Sequence, residues 1–229
     1  MSLKNKIFCA LDFSDIDQTI QFTHKIKNHI GGIKIGLEFF CKNGPTGVEK
    51  LKEFELPIFL DLKLHDIPNT VTKAFKNLIS LSPDYFTVHL NGGKRMIEEL
   101  IQYKKKTKLI GVSMLTSLDK KDLKESGIMC DEISYIEKLT NIGVSSGIDG
   151  VVSSPKEVKL LRKKFEKLII VTPGIRLSND NKNDQKRTST PGTAIKNGSS
   201  LLVIGRTITE SINPVSTIEK IILNIENEI

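Results

Sequence analysis

The chain has no tryptophan, and aromatic residues make up only 6% of its 229 positions. Proteins that grip single-stranded nucleic acid stack bases on aromatic side chains set among basic ones. Here the basic clusters KKKTK, KKDLK and RKKFEK carry almost no aromatics. The net charge of +7, from 34 Lys and Arg against 27 Asp and Glu, is therefore read in one of two other ways. It is either a lysine-rich solvated surface or an attraction for an anionic small molecule, and a phosphorylated one fits better than nucleic acid.

Cysteine is also scarce. Cys9, Cys41 and Cys130 lie far apart and form no C-x-x-C pair, which excludes a disulfide framework and zinc-ligand spacing and argues for reduced thiols. Cys9 sits in an apolar run and reads as a small core residue. Long hydrophobic runs are missing too. LIIVTPGI and LLVIG stop far short of the about 20 residues a membrane span needs. The start MSLKNKIFCALDF is followed by no small-residue cleavage site, so the expectation is a cytoplasmic protein with no membrane partner.

Short β-branched or apolar runs are plentiful. There are eight: KIFCALD, GGIKIG, PIFLDLKL, YFTVHL, KLIGVSML, DGVVSS, KLIIVTPGI and SLLVIGR. Segments of helical period lie between them, among them IDQTIQFTHKIKNHI, TVTKAFKNLISL and EISYIEKLTNIGVSS. Strand starts recur at somewhat under about 30 residues, one βα unit each, and no compositional break marks a linker. The spacing predicts a single (β/α)8 TIM barrel domain over 1–229, since such barrels typically run to about 250 residues. A doubly wound sheet is the competitor, but no G-x-G-x-x-G follows the first strand.

In a barrel the chemistry belongs at the C-terminal ends of the strands. Those ends carry Asp12, Lys34, Asp61 with Lys63, His89, Thr116, Ser154, Arg176 and Arg206. The stretch FLDLKLHDIPNT (59–70) is the densest of them. Residues two apart in a strand share a face, so Asp61 and Lys63 are expected to point into the barrel while Leu60, Leu62 and Leu64 face the helices. A plain ion pair closing the barrel top is the simplest reading, but one that deep is costly to desolvate. Schiff-base chemistry needs a lysine held neutral, whereas flanking carboxylates favour the ammonium. Two aspartates suit a hard cation, but Lys63 and Lys34 compete for the same negative charge. Proton delivery to a forming carbanion uses every residue present, and a carboxylate beside a substrate carboxylate disfavours the ground state.

TPGIR (172–176) and VIGR (203–206) end the last two strands, where barrels commonly hold phosphate. Gly205 admits backbone N–H groups to an anion, and Arg206 offers a planar fork. The segment LSNDNKNDQKRTS (177–189) reads either as a loop without fixed structure or as a lid over a ligand phosphate, with Gln185 a candidate contact. His24, His29 and His65 read as structural. His89 is a rim histidine or a neighbour of the site.

These motifs together resemble the orotidine 5′-monophosphate decarboxylase family of the bacterial type. The resemblance is carried by ALD (10–12), GIKIG (32–36), DLKLHDIPNT (61–70), LTS (115–117), TPGIR, DQKR (184–187) and VIGR, in the family's order along nearly the whole chain. It implies a homodimer with active sites at the subunit interface, and loss of CO2 from the orotate ring without metal or cofactor. It also implies roles. Lys63 is the proton donor to C6, Asp61 stands beside the departing carboxylate, and Asp66 reaches in across the interface. Lys34 and Asp12 hold the ribose, Thr70 closes the loop, and Thr116 meets the pyrimidine. Gln185, Gly205 and Arg206 take the phosphate, with Arg176 nearby. Related sugar-phosphate enzymes share the Asp-x-Lys-x-x-Asp pattern but bind Mg2+ through a glutamate on strand two, where this chain has Lys34. A silent phosphate-binding barrel and a nucleic-acid binder remain the readings from other classes.

Overall fold

The structure is a computed structural model and describes residues 2–177 and 188–229. Eight parallel strands pair in chain order and close into a barrel. They are β1 (Ile7–Ala10), β2 (Gly32–Ile35), β3 (Ile58–Leu64), β4 (Tyr85–His89), β5 (Lys108–Val112), β6 (Gly150–Val152), β7 (Ile169–Thr172) and β8 (Leu201–Ile204). Each falls on one of the eight apolar runs, and closure sets Phe8 of β1 opposite Val203 of β8.

Helices alternate with the strands: α1 (Ile16–Ile26), α2 (Leu37–Leu51), α3 (Pro68–Leu78), α4 (Gly93–Ile101), α5 (Lys120–Glu125), α6 (Glu132–Ser145), α7 (Val158–Lys164), α8 (Pro191–Lys196), α9 (Arg206–Thr209) and α10 (Pro214–Glu228). Their starts follow from local chemistry. Asp15, Asp131 and Asn213 each accept a backbone N–H three residues on, satisfying donors that a helix leaves open. Pro68, Pro191 and Pro214 stand in first turns, where the missing N–H costs nothing. The pattern exceeds one helix per strand between β5 and β6. There Asp119 and Asp122 form a reciprocal capping box that starts the short α5. Helix α2 is kinked at Gly44 (φ 58°) and Pro45, because proline cannot donate to the helical ladder.

The apolar residues form two bodies. The larger lies between strands and helices and includes Cys9, Ile33, Leu60, Leu62, Phe86 and Val88. The smaller fills the lower interior of the barrel with Phe8, Phe59, Ile110, Val171 and Leu201, against which Tyr85 packs. The Phe8 and Tyr85 rings meet edge-on at 5.4 Å. Gly32 makes room for this floor, since a Cβ there would lie 2.3 Å from the Phe8 ring. Burying each phenylalanine contributes about 1.5–3 kcal/mol. By strand alternation Asp61 stands one level above Phe59.

The upper end of β3 departs from a regular strand. Leu60 pairs with Phe86 and Leu64 with Val88, so the three residues Asp61 to Lys63 lie opposite the single residue Thr87. Lys63 takes φ 50°, a left-handed conformation that costs a non-glycine residue about 1–2 kcal/mol. The alternation expected for 59–64 holds through the bulge: Phe59, Asp61 and Lys63 line the cavity, while Leu60, Leu62 and Leu64 pack in the strand–helix core. Among the described residues no helix is long and apolar enough to cross a membrane.

Candidate active site

A cavity of about 250 Å³ opens at the C-terminal end of the strands. Its polar lining is Asp12, Lys34, Asp61, Lys63, Thr116, Arg176 and Arg206, with the backbone of Gly205. Four cationic groups against two carboxylates leave it positive, which favours an anionic guest. Its lower wall is apolar, formed by Ala10, Phe59, Val112, Val152, Val171 and Val203.

The charged groups form a chain. Lys34 Nζ donates to Asp12 Oδ1 at 2.7 Å and lies 3.9 Å from Asp61 Oδ2. Lys63 Nζ donates to that same Asp61 oxygen at 2.8 Å. Asp61 and Lys34 are nearly buried, their side chains 12% and 10% exposed, while Lys63 is 29% exposed. Desolvation strengthens such an arrangement and makes it intolerant of losing one member. Gly36 lies directly behind, and Asp12 remains half-exposed at the rim.

The residues expected to bind phosphate come from two loops. Arg176 is buried, and its Nη1 donates to the Ile175 carbonyl at 2.8 Å. The loop carrying it is tied at its base, where Arg176 N donates to the Ser189 carbonyl and Ser189 N to the Gly174 carbonyl, at 3.0 and 3.2 Å. Arg206 begins α9 immediately after Gly205.

Two expected site residues among those described do not line the cavity. Asp66 is exposed, its Oδ1 accepting from the Ile67 N–H at 2.6 Å. Thr70 lies exposed in the first turn of α3. Neither lines the cavity. Gln185 lies outside the described residues. Of the remaining strand ends, Ser154 is buried and hydrogen-bonds the Glu157 carboxylate instead.

His89 ends β4, its ring 5.3 Å from that of His65. Burial pushes its imidazole below the ordinary histidine value, and His65 and Lys63 push the same way while Asp61 opposes them. Burial likewise drives the Cys9 thiol well above its usual range, which leaves it an inert core residue. Among the described residues there is no group of three or more His, Cys, Asp or Glu arranged to hold a metal ion.

Sequence reasoning overlooked Thr87, whose hydroxyl touches both Asp61 and the Lys63 backbone. It also passed over Met114, Leu115 and Pro173 in the wall. Part of the apolar wall follows from strand alternation, since Ala10 and Phe59 each sit two residues before a polar strand end, Asp12 and Asp61. Thr87 left no such signal, because it depends on the bulge.

A positive cavity over an apolar floor, at the C-terminal end of the strands of a closed barrel, gives the protein the form of a TIM barrel enzyme. The comparisons narrow this. A family model described as Orotidine 5'-phosphate decarboxylase / HUMPS family matches residues 5–221, and the chain belongs to that family. It is 44% identical over 213 residues to a protein of Sphingopyxis alaskensis named orotidine 5'-phosphate decarboxylase, covering 93% of this chain and 95% of that protein. It is 42% identical over 221 residues to a protein of the same name from Wolbachia pipientis subsp. Culex pipiens, covering 95% of this chain and 97% of the other. Among solved structures, orotidine 5'-phosphate decarboxylase from Lactobacillus acidophilus superposes with a TM-score of 0.84 at 33% identity, over 96% of this chain and 98% of that one.

Proposed function

We propose that this chain acts as a single catalytic domain that decarboxylates orotidine 5′-monophosphate to uridine 5′-monophosphate and CO2, a step of pyrimidine biosynthesis. The relatives' shared name supports the substrate, while the family model alone spans sugar-phosphate enzymes as well. The observation that carries the reading is the chain Asp12–Lys34–Asp61–Lys63 across the cavity.

In the proposed reaction Lys63 is the acid. The bond between C6 and the carboxylate breaks, the electron pair stays on C6, and the Lys63 ammonium delivers a proton to that carbon. The neutral amine then regains a proton from water. Asp61 stands beside the leaving carboxylate and raises the ground state relative to a product that has lost that charge. Lys34 and Asp12 hold the ribose, Thr116 meets the pyrimidine edge, and Arg176, Gly205 and Arg206 with Gln185 bind the phosphate. Asp66, with Thr70 beside it, serves the site of the partner subunit in a homodimer. This accounts for two motif residues exposed on their own protomer. The chemistry runs without metal or cofactor, because Lys34 occupies the strand-two position where a metal-dependent relative needs a carboxylate. The reading also places the enzyme in the cytoplasm.

The test is absorbance-monitored turnover of orotidine 5′-monophosphate with and without excess EDTA. Loss of the orotate absorbance that the chelator does not change supports the reading. No turnover by folded protein, with Mg2+-dependent turnover of a sugar phosphate, overturns it.

A further inference from the structure

Thr87 occupies the middle of β4 and is fully buried. Its Oγ1 accepts the backbone N–H of Lys63 at 2.9 Å and donates to Asp61 Oδ1 at 2.9 Å. Other buried threonines behave differently: Thr23 and Thr140 return their hydroxyls to carbonyls one turn back in their own helices.

The need for this hydroxyl comes from the bulge. Three residues of β3 face one of β4, so the strand ladder offers the Lys63 N–H no ordinary partner. A buried donor left open is destabilising, and Lys63 already stands at φ 50°. The Thr87 hydroxyl supplies the missing acceptor. With its own proton it then occupies one oxygen of Asp61. The other oxygen, Oδ2, is left to face Lys63 Nζ at 2.8 Å and Lys34 Nζ at 3.9 Å. A single side chain thus fixes both the backbone that carries the lysine and the carboxylate that orients it.

We propose that Thr87 is a positioning residue for the Lys63–Asp61 pair, acting through those two groups without touching substrate. The proposal rests on the reading of Lys63 as proton donor. Thr87→Val keeps the shape and removes the hydroxyl. It is expected to lower kcat by about 100-fold, the cost of roughly 1 Å of misplacement, with KM changed by less than about threefold. Thr87→Ser keeps the hydroxyl and restores most of the loss. A folded Thr87→Val enzyme with near wild-type kcat, or a Ser variant as impaired as Val, overturns the assignment. Should Val not fold, Thr87→Ser against Thr87→Cys makes the same comparison with one atom changed.

Labelling of the Lys63 amine by trinitrobenzenesulfonate, mapped by mass spectrometry, separates this proposal from the functional one. If wild-type protein turns over no orotidine 5′-monophosphate, the functional reading fails. Labelling of Lys63 still rises several-fold in Thr87→Val if Thr87 holds the lysine, and unchanged labelling overturns the Thr87 role.

Discussion

A Cβ on Gly36 would lie 2.8 Å from Lys34 Nζ and 3.0 Å from Asp12 Oδ1. The glycine keeps the space that the Lys34–Asp12 pair occupies. The crowded atoms are the ends of side chains, so Gly36→Ala displaces the pair while the strand stays in place. The expected result is a fall in kcat/KM of about 10–100-fold, the scale of small misplacements in a site. The melting temperature should stay within about 4 °C, equivalent to 1–2 kcal/mol in a domain of this size. Steady-state kinetics and a thermal melt on the same sample check both.

Lys63→Ala should lower kcat by several orders of magnitude in a folded protein. Turnover within about tenfold of wild type, or 1.4 kcal/mol of barrier, would remove Lys63 from the mechanism. Asp66→Ala is expected to be inactive as well. Mixing the two inactive proteins should recover activity, because a mixed dimer contains one site with both residues intact. An activity titration against mixing ratio measures this, and a flat line at zero counts against the shared site.

Arg206→Ala should cut kcat/KM for the phosphorylated substrate by about 100-fold or more, since a charge-assisted phosphate contact is worth about 1.5–3 kcal/mol or higher where bidentate. The same variant should act on the dephosphorylated nucleoside almost as wild type does. An equal loss on both substrates would mean that Arg206 supports the fold and not the phosphate.

The depressed His89 basicity sets a pH dependence of stability. The unfolded chain takes up a proton near the ordinary histidine value, 6.5, and the folded chain only at lower pH. In that window the unfolded state binds more protons, so stability is full above 6.5 and declines as the pH falls toward the folded value. His89→Asn should flatten the slope of melting temperature against pH over that range. In a proton NMR titration, His65→Asn should move the His89 midpoint upward, because one of the groups opposing its charge is gone.

The barrel was legible because eight apolar runs at βα spacing have few other ways to bury their faces. Asp12, Lys34, Asp61, Lys63, Arg176 and Arg206 were legible as polar ends to apolar strands, and they line one cavity. The bulge in β3 was not legible. Nothing in LDLKL distinguishes a strand that gains two residues on its neighbour from one that does not, and the register shift shows only once β4 is paired beside it. Helix α5 was missed for a related reason: its six residues bury only Leu123, too little for a period to be read. Asp66 and Thr70 mark the other limit: both are exposed and outside the cavity, and a strand pattern does not reach residues beyond the strand.

Among the described residues, Phe8, Phe59 and Tyr85 pack across the barrel beneath Asp61, so the charged array is closed off from below. An apolar plug of that kind admits neither ions nor a file of water, because each would leave its hydration behind. Under the proposed reaction the nucleotide therefore corks the passage by which Lys63 is supplied. The proton that ends on C6 belongs to the enzyme before the substrate arrives. Each cycle is a discharge followed by a refill, and the refill waits for the product to leave.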